Sequence, residues 1–382
     1  MRILHVISTV DPKKGGPSEG IRQRGKYLKS MGHDVEVLSA DEPNAAFLRQ
    51  SPIRVHAVGP GKGALARTPK LMEWLLKHGK EYDAIIANGI WQSPSLVVRK
   101  AAKKLGRPYW VFPHGMLDPY FNRESRLKAL KKQIFWIWQY PVLRDATAVL
   151  FTCEEERRLA REAFKPYSVT EYVVKYGTAG PEGDPEAHKA AFAAAFPQLA
   201  DKPFLLFLSR IHPKKGVDML LKAFREQANK RPDLHIVLAG PVEDAYRKEM
   251  DALVPEPALR SRIHWVGMLS GDVKWGAFRH AEAFVLPSHQ ENFGIAIVEA
   301  LACGLPALIT NRVNIWREIE ADGAGFVEDD TDAGIANLLR RWIAIPSAGR
   351  QAMSEKALYS YNERFTVRHS AETLLAAIKE TK

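Results

Sequence analysis

Residues 283–306, AFVLPSHQENFGIAIVEALACGLP, carry a strand, a turn and the start of a helix in one stretch. Ala283–Pro287 is a short apolar run closed by Pro and Ser, the pattern of a buried parallel strand stopping at the carboxyl edge of a sheet. Ile295, Ile297, Val298 and Leu301 then recur at helical spacing. Between the two lie Glu291, Asn292, Phe293 and Gly294. Gly294 lets backbone approach a ligand closely, and the unpaired amides of a first helical turn suit an anion, phosphate above all. Glu291 and Glu299 stand eight positions apart, so both reach one ligand without touching each other. A carboxylate there does not favour phosphate, but it accepts hydrogen bonds from the hydroxyls of a sugar or ribose. An ordinary strand, turn and helix with two solvated glutamates fits the spacing equally well, because first turns favour acidic residues.

The same alternation runs along the whole chain. Ile3–Ile7, Val35–Leu38, Ile53–Val58, Ala84–Ala87, Tyr109–Phe112 and Val149–Thr152 read as strands, and Phe204–Leu208, Ile236–Leu238, Ile263–Val266, Ala283–Pro287, Ala307–Ile309 and Phe326–Val327 repeat the series. Helical patterns such as 217–229 and 332–343 separate them. Strand and helix alternating twice over predict an α/β chain of two doubly wound domains. The stretch 177–187, GTAGPEGDPEA, reads as the linker.

With 382 residues, 46% apolar and 26% charged, the chain fits two soluble globular domains. No apolar run approaches a membrane span, and MRILHVIS lacks the pattern of a signal peptide. Cys153 and Cys303 lie in apolar segments without metal-ligand spacing, which suits buried thiols in a reducing, cytoplasmic setting. Residues 1–180 hold 30 Lys and Arg against 17 Asp and Glu, while the remainder holds 25 against 27. The basic first half points to a phosphate-rich partner: nucleic acid, an anionic membrane surface or a polyphosphate substrate. No nucleic-acid reading motif accompanies it, so nucleic acid is not expected as a partner.

The segment from Pro287 to Pro306 resembles, in order and over its whole length, the signature of the retaining, nucleotide-sugar-dependent glycosyltransferases of family four (glycosyl transferases group 1), marked by Glu, seven residues, Glu. The likeness to polysaccharide-assembly enzymes rests on the HGML turn and NIWREIE. The resemblance implies the GT-B fold: two Rossmann-like domains facing a cleft, an acceptor-side domain over 1–178, a nucleotide-sugar domain over 179–362, and a helix over 363–382 returning to the first domain. It implies a retaining hexosyltransferase moving sugar from a nucleotide-diphosphate sugar to a saccharide or polyprenyl-linked saccharide acceptor, in exopolysaccharide or lipopolysaccharide synthesis. A nucleotide-sugar epimerase of the same fold is the first alternative, and a nucleic-acid-binding protein using the basic first half ranks below it. A phosphorylase would need a pyridoxal-anchoring lysine motif that is missing.

The resemblance assigns roles residue by residue. In 206–216, LFLSRIHPKKG, a strand ends in a basic cluster before a Gly-opened helix; Arg210 and Lys215 match the pair that grips the donor diphosphate and stabilises its departure, with Ser209 beside them. Glu291 would hold the sugar and Glu299 the ribose, with Asn292, Phe293 and Gly294 completing the donor site. His114, in VFPHGML, would contact the sugar near its reacting end, making His114, Arg210, Lys215 and Glu291 the catalytic set. Gly16, in VDPKKGGPS at 10–18, would touch donor phosphate; Gly15, Asn88 and Trp91 would face the acceptor, Trp91 by stacking. Without the resemblance, His114 and the glycine loop read as structural. Lys175-Tyr176-Gly177 departs from the family's usual Pro-Asn-Gly, and 313–316, Val-Asn-Ile-Trp, stands in place of the small residues common in the family. No cofactor and no metal are expected: Asp330-Thr-Asp332 precedes a helix and reads as an Asp cap.

One helix, within 123–144, RESRLKALKKQIFWIWQYPVLR, sets Arg126, Lys128, Lys131 and Lys132 before Phe135, Trp136 and Trp138. Basic residues beside interfacial aromatics suit an anchor on anionic lipid, with Trp136 inserted; a core helix completed by Leu130, Ile134 and Ile137 is the competing reading.

Overall fold

The computed structural model describes residues 1–12, 15–120 and 126–382, with the backbone alone for Gln50 and residues 126–129. The chain divides into two compact units: Met1–Thr178 together with Thr366–Lys382, and Ala179–Phe365.

The first unit is built on a seven-stranded sheet: β1 (Arg2–Ile7), β2 (Asp34–Ser39), β3 (Arg54–Ala57), β4 (Ala84–Asn88), β5 (Tyr109–Phe112), β6 (Ala148–Phe151) and β7 (Glu171–Val173). The strand order is β3-β2-β1-β4-β5-β6-β7, with every pairing parallel. Helices α1 (Gly16–Ser30), α2 (Lys70–His78), α3 (Ser93–Leu105), α4 (Arg126–Arg144) and α5 (Glu154–Ala163) make the crossovers. Both faces of the central strands are covered, which is why β4 and β5 are apolar at nearly every position and buried throughout. The short β7 escapes a search for apolar runs, since it is half-buried at all three positions.

The second unit repeats the plan with six parallel strands: β8 (Phe204–Leu208), β9 (His235–Ala239), β10 (Ile263–Gly267), β11 (Ala283–Leu286), β12 (Ala307–Thr310) and β13 (Gly325–Glu328), in the order β10-β9-β8-β11-β12-β13. Among its helices are α6 (Pro185–Ala195), α7 (Val217–Gln227), α8 (Asp244–Ala252), α9 (Pro257–Arg260), α10 (Gly271–His280), α11 (Ile295–Ala302), α12 (Trp316–Asp322), α13 (Asp332–Ala344) and α14 (Ser347–Ser360). Strand order reverses between β1 and β4 in the first sheet and between β8 and β11 in the second. Ligands of doubly wound sheets bind at such points, at the carboxyl ends of the strands.

The last helix, α15 (Val367–Glu380), belongs to the first unit. Its Ala371, Leu374, Ala377 and Ile378 pack on Ile3, Ile86, Trp110 and Leu150 of that sheet. Leu374 and Ile378 are fully buried, each contributing about 1.5–3 kcal/mol through burial.

Helix α4 corrects the expectation about its tryptophans. Trp136 is fully buried, its indole N–H donating to the Pro166 carbonyl at 2.8 Å and its ring stacked on Phe164; it is a core residue and not a lipid anchor. Leu130, Ile134, Ile137 and Trp138 are instead 57–69% exposed. Residues two apart on a helix point to opposite sides, so Trp136 and Trp138 could not share one face, whereas 130, 134, 137 and 138 do. Arg126 and Lys128 have side chains outside the described set; Lys131 is exposed and Lys132 partly so. No helix among the described residues is long and apolar enough to cross a membrane.

Candidate functional site

In the second unit, the loops after β8 and β11 meet at the reversal point. After β8 the chain makes a short turn, Pro213–Lys215, and enters α7 through Gly216 at φ 66°. A Cβ at Gly216 would lie 2.0 Å from the Pro287 carbonyl oxygen, so only glycine lets the loops approach this closely. The His289 amide donates to the Lys214 carbonyl at 2.9 Å, tying the loops together. After β11, Gly294 at φ 75° opens α11.

Onto this frame the sequence hangs two lysine–glutamate pairs. Lys215 Nζ donates to Glu291 Oε2, and the Glu291 backbone is strapped on both sides, its amide to the Arg312 carbonyl and its carbonyl to the Asn314 amide, each at 3.0 Å. Asn292 Oδ1 accepts from Asn314 Nδ2 at 3.2 Å, so Asn314 braces the signature loop. Glu299 is 7% exposed and accepts from Lys274 Nζ at 2.8 Å. Lys274 in turn lies 4.2 Å from the Trp275 ring centroid. Sequence reasoning missed Lys274, which sits on α10 with no motif around it. Phe293 is buried, edge-on to Phe365, and so shapes the loop from beneath. Ser209 is half-buried and Arg210 exposed at the end of β8.

Asp330 and Asp332 are occupied otherwise than expected. Thr331, not an Asp, caps α13 through Oγ1 to the Gly334 amide at 3.0 Å; Asp330 accepts from His289 Nδ1 at 2.7 Å and Asp332 from Lys222 Nζ at 3.2 Å. The Asp330 hydrogen bond raises the His289 pKa above its ordinary value. Among the described residues no group of three or more His, Cys, Asp or Glu could hold a metal ion.

In the first unit the reversal point opens into a cavity of about 630 Å³. Its walls are the ends of β1 and β2, the start of α1 at Gly15, Pro17 and Ser18, the Pro60–Gly63 turn, and the loops after β4 and β5 with Asn88, Gln92 and His114. The Gly59-Pro60-Gly61 turn is a wall held to the segment after β2 by amides of Gly59 and Gly61 donating to Asp41 and Ala40 carbonyls. Asn88 and His114 meet here: His114 Nε2 lies 3.2 Å from Asn88 Oδ1, while Asn88 Nδ2 donates to the Ile86 carbonyl at 3.1 Å and faces His5 Nδ1 at 3.1 Å. This arrangement puts the His114 hydrogen on Nε2 and leaves Nδ1 as an acceptor. Burial, and then the Arg24 cation, push the His114 pKa down to about 3, so the ring is neutral.

Two supports of this turn went unseen in the sequence. Glu156, 3% exposed at the start of α5, accepts from the amides of Gly115 (2.5 Å) and Thr152 (2.7 Å) and from the Thr152 hydroxyl (2.6 Å). Arg24 is 1% exposed, its guanidinium 5.0 Å from the Phe112 ring and 5.6 Å from that of Tyr176. Tyr176 fills the room left by Gly20, where any Cβ would strike its hydroxyl. Trp91 does not line the cavity: its indole N–H donates to the Met116 carbonyl at 3.1 Å and its ring packs with Phe135, Trp136 and Phe164. The side chain expected to stack on a sugar is thus enclosed by protein aromatics, held there by a backbone at φ 70°. Gly16 begins α1, next to the cavity-lining Gly15.

Two parallel doubly wound units, each with its strand order reversing within the sheet, are the architecture of the GT-B class of transferases. Residues 190–358 match the family of glycosyl transferases group 1, and residues 15–175 match the glycosyl transferase 4-like domain. The chain is similar to the alpha-1,3/1,6-mannosyltransferase of Mus musculus, 23% identical over 90% of this chain and 89% of that one. The D-inositol 3-phosphate glycosyltransferase of Mycolicibacterium smegmatis is 30% identical over 49% of this chain and 42% of its own length. Among solved structures, HepE of Anabaena in complex with UDP and glucose superposes with a TM-score of 0.76 at 19% identity, covering 100% of both chains.

Proposed function

We propose that this glycosyltransferase moves a hexose from a nucleoside diphosphate sugar, bound at the second unit, to a hydroxyl of a saccharide or lipid-linked saccharide bound at the first, with retention of configuration. The carrying observation is the pairing of Lys215 with Glu291 at the β8–β11 reversal point, beside the glycine-opened starts of α7 and α11. A diphosphate would take Lys215, with Arg210, and release Glu291 to the sugar hydroxyls; Glu299 would hold the ribose. The acceptor oxygen bonds to the anomeric carbon, the bond from that carbon to the phosphate oxygen breaks, and the departing diphosphate receives both the electron pair and the acceptor's proton. Fixed cations stabilise that departing charge more in the transition state than before it. His114, neutral and accepting at Nδ1, would orient a hydroxyl and not transfer a proton. UDP in the Anabaena structure supports a uridine donor.

Calorimetric titration with UDP, GDP and ADP tests the reading: one should bind to wild-type protein and bind weakly to Lys215→Ala, and equal binding to both proteins sinks the assignment. Activity should survive EDTA, no metal being assigned a role. Release of an epimerised nucleotide sugar without acceptor would favour the epimerase.

A second observation bears on where the acceptor lies. The exposed stripe Leu130, Ile134, Ile137 and Trp138 on α4, next to Lys131 in the basic unit, fits the boundary of an anionic bilayer, and we assign peripheral attachment to the cytoplasmic face to it. Vesicle sedimentation decides this: binding to anionic vesicles that falls with salt and with Ile137→Asp supports it, and equal recovery with neutral and anionic vesicles refutes it.

A further inference from the structure

The cavity of the first unit has a chemistry narrower than its size requires. Its charged lining, among the described residues, consists of Asp41 and Glu42 at the end of β2, without a Lys or Arg. Asp41 is fixed in place: Oδ1 accepts the Thr9 hydroxyl at 2.5 Å and Oδ2 the Val10 amide at 2.8 Å. Each of its oxygens keeps a further lone pair, and the carboxylate charge stays beside the cavity. The remaining polar groups are neutral, namely the Asn88 and Gln92 amides, the Ser18 hydroxyl and His114 with its free acceptor at Nδ1.

A ligand group entering here meets acceptors backed by negative charge on one side and neutral donors and acceptors on the other. A phosphate or carboxylate only accepts hydrogen bonds, so it faces Asp41 and Glu42 with nothing to donate and finds no Lys or Arg among the described lining residues to offset the repulsion. A hydroxyl donates to the carboxylates and accepts from the amides. An ammonium group donates to the carboxylates and is attracted by them.

We propose that this cavity receives the acceptor's reacting ring as an uncharged or amine-bearing polyol, and that Asp41 and Glu42 exclude rings carrying phosphate or carboxylate. The inference rests on the transferase reading above, since it treats the cavity as the acceptor's place; any anionic portion of the acceptor lies outside it.

The test uses one ring in four forms: methyl glucoside, glucosamine, glucuronate and glucose 6-phosphate. Saturation-transfer NMR at low salt, with UDP present in excess so that the second unit's phosphate site is filled, reads their relative affinities. Methyl glucoside and glucosamine should bind several-fold more tightly than the two anions, the effect being limited by water because Asp41 is half-buried and Glu42 exposed. The variant Glu42→Gln should narrow that gap by strengthening the anions, and should leave methyl glucoside within about twofold, since an amide still hydrogen-bonds a hydroxyl. Equal or tighter binding of the anions overturns the proposal, and so does failure of both uncharged and amine-bearing rings to bind. Nucleotide binding, followed in the same samples with GDP and ADP substituted for UDP in turn, separates the two failures: failure of all three to bind rejects the donor reading, whereas binding of one beside a reversed preference rejects this inference alone.

Discussion

The crevices of the two units occupy matching places, at the reversal points of two parallel sheets, and are built from opposite materials. In the second unit, cations stand against carboxylates: Lys215 on Glu291 and Lys274 on Glu299. In the first, neutral amides and an imidazole stand beside two carboxylates, and the nearest described buried cation, Arg24, lies behind the wall among aromatic rings. One fold thus makes a place suited to a leaving diphosphate and another suited to hydroxyl groups. Strand order chooses the location and side chains choose the ligand.

The sharpest way to break this contrast is to remove the cation where charge should develop. Lys215→Ala should lower kcat on the order of a hundredfold, as for loss of one preorganised charge-stabilising group. Its stability should fall by about 1–3 kcal/mol, because the pair is mostly buried, with 12% and 21% of the two side chains exposed, and Glu291 is left without its cation. A kcat within a few-fold of wild type would place the diphosphate elsewhere.

The first unit should respond in KM and stability. Glu156→Ala strips three donors, on Gly115 and Thr152, of their partner. Leaving them buried costs about 1–3 kcal/mol and loosens the turn that carries His114. Urea unfolding should register the loss, and acceptor KM should rise while nucleoside diphosphate affinity holds. Equal losses in both affinities would deny that the crevices act separately.

Glu299→Ala sharpens the comparison from the other side. It leaves Lys274 without its carboxylate in a site where the two side chains are 20% and 9% exposed. Removing one partner of such a pair costs about 1–3 kcal/mol once the lysine's partial access to water is counted. The double variant Glu299→Ala with Lys274→Met should recover much of the stability and none of the donor affinity. Recovery of donor affinity would make Glu299 a structural partner only.

How much of this could be read from residues alone follows the same division. The second crevice was legible because its parts are local: strand, glutamate, glycine and helix follow one another within 283–306, and the basic cluster within 206–216. Only Lys274, brought in from α10, lay beyond reach. The first crevice is assembled from six strand-end and loop segments with no common motif. Asn88 and His114 were found by their positions after strands, but Asp41, Glu42 and Glu156 look like ordinary surface acids in sequence. Trp91 and Trp136 misled for a physical reason. An aromatic ring advertises stacking or lipid, and only its direction decides which; here a positive φ turns one inward and the helical period turns the other.

The smallest expected effect concerns the join between the loops of the second crevice. His289 is held by Asp330 on one side and, through its amide, by the Lys214 carbonyl on the other. With its pKa raised above the ordinary 6.5 by the Asp330 hydrogen bond, the folded protein holds this proton more tightly than the unfolded chain does. The stabilisation is therefore complete below about pH 6.5 and fades as pH rises through the folded value. His289 keeps 32% of its side chain exposed, so the gain stays below about 1 kcal/mol. Between pH 6 and pH 8.5 the wild type should lose slightly more stability than Asp330→Asn, in which the charge that raises the pKa is gone. Donor affinity should weaken over the same interval in the wild type alone if the pair keeps the Lys214–Lys215 turn in place. Parallel pH profiles for the two proteins would mean that the backbone hydrogen bond alone holds the loops together.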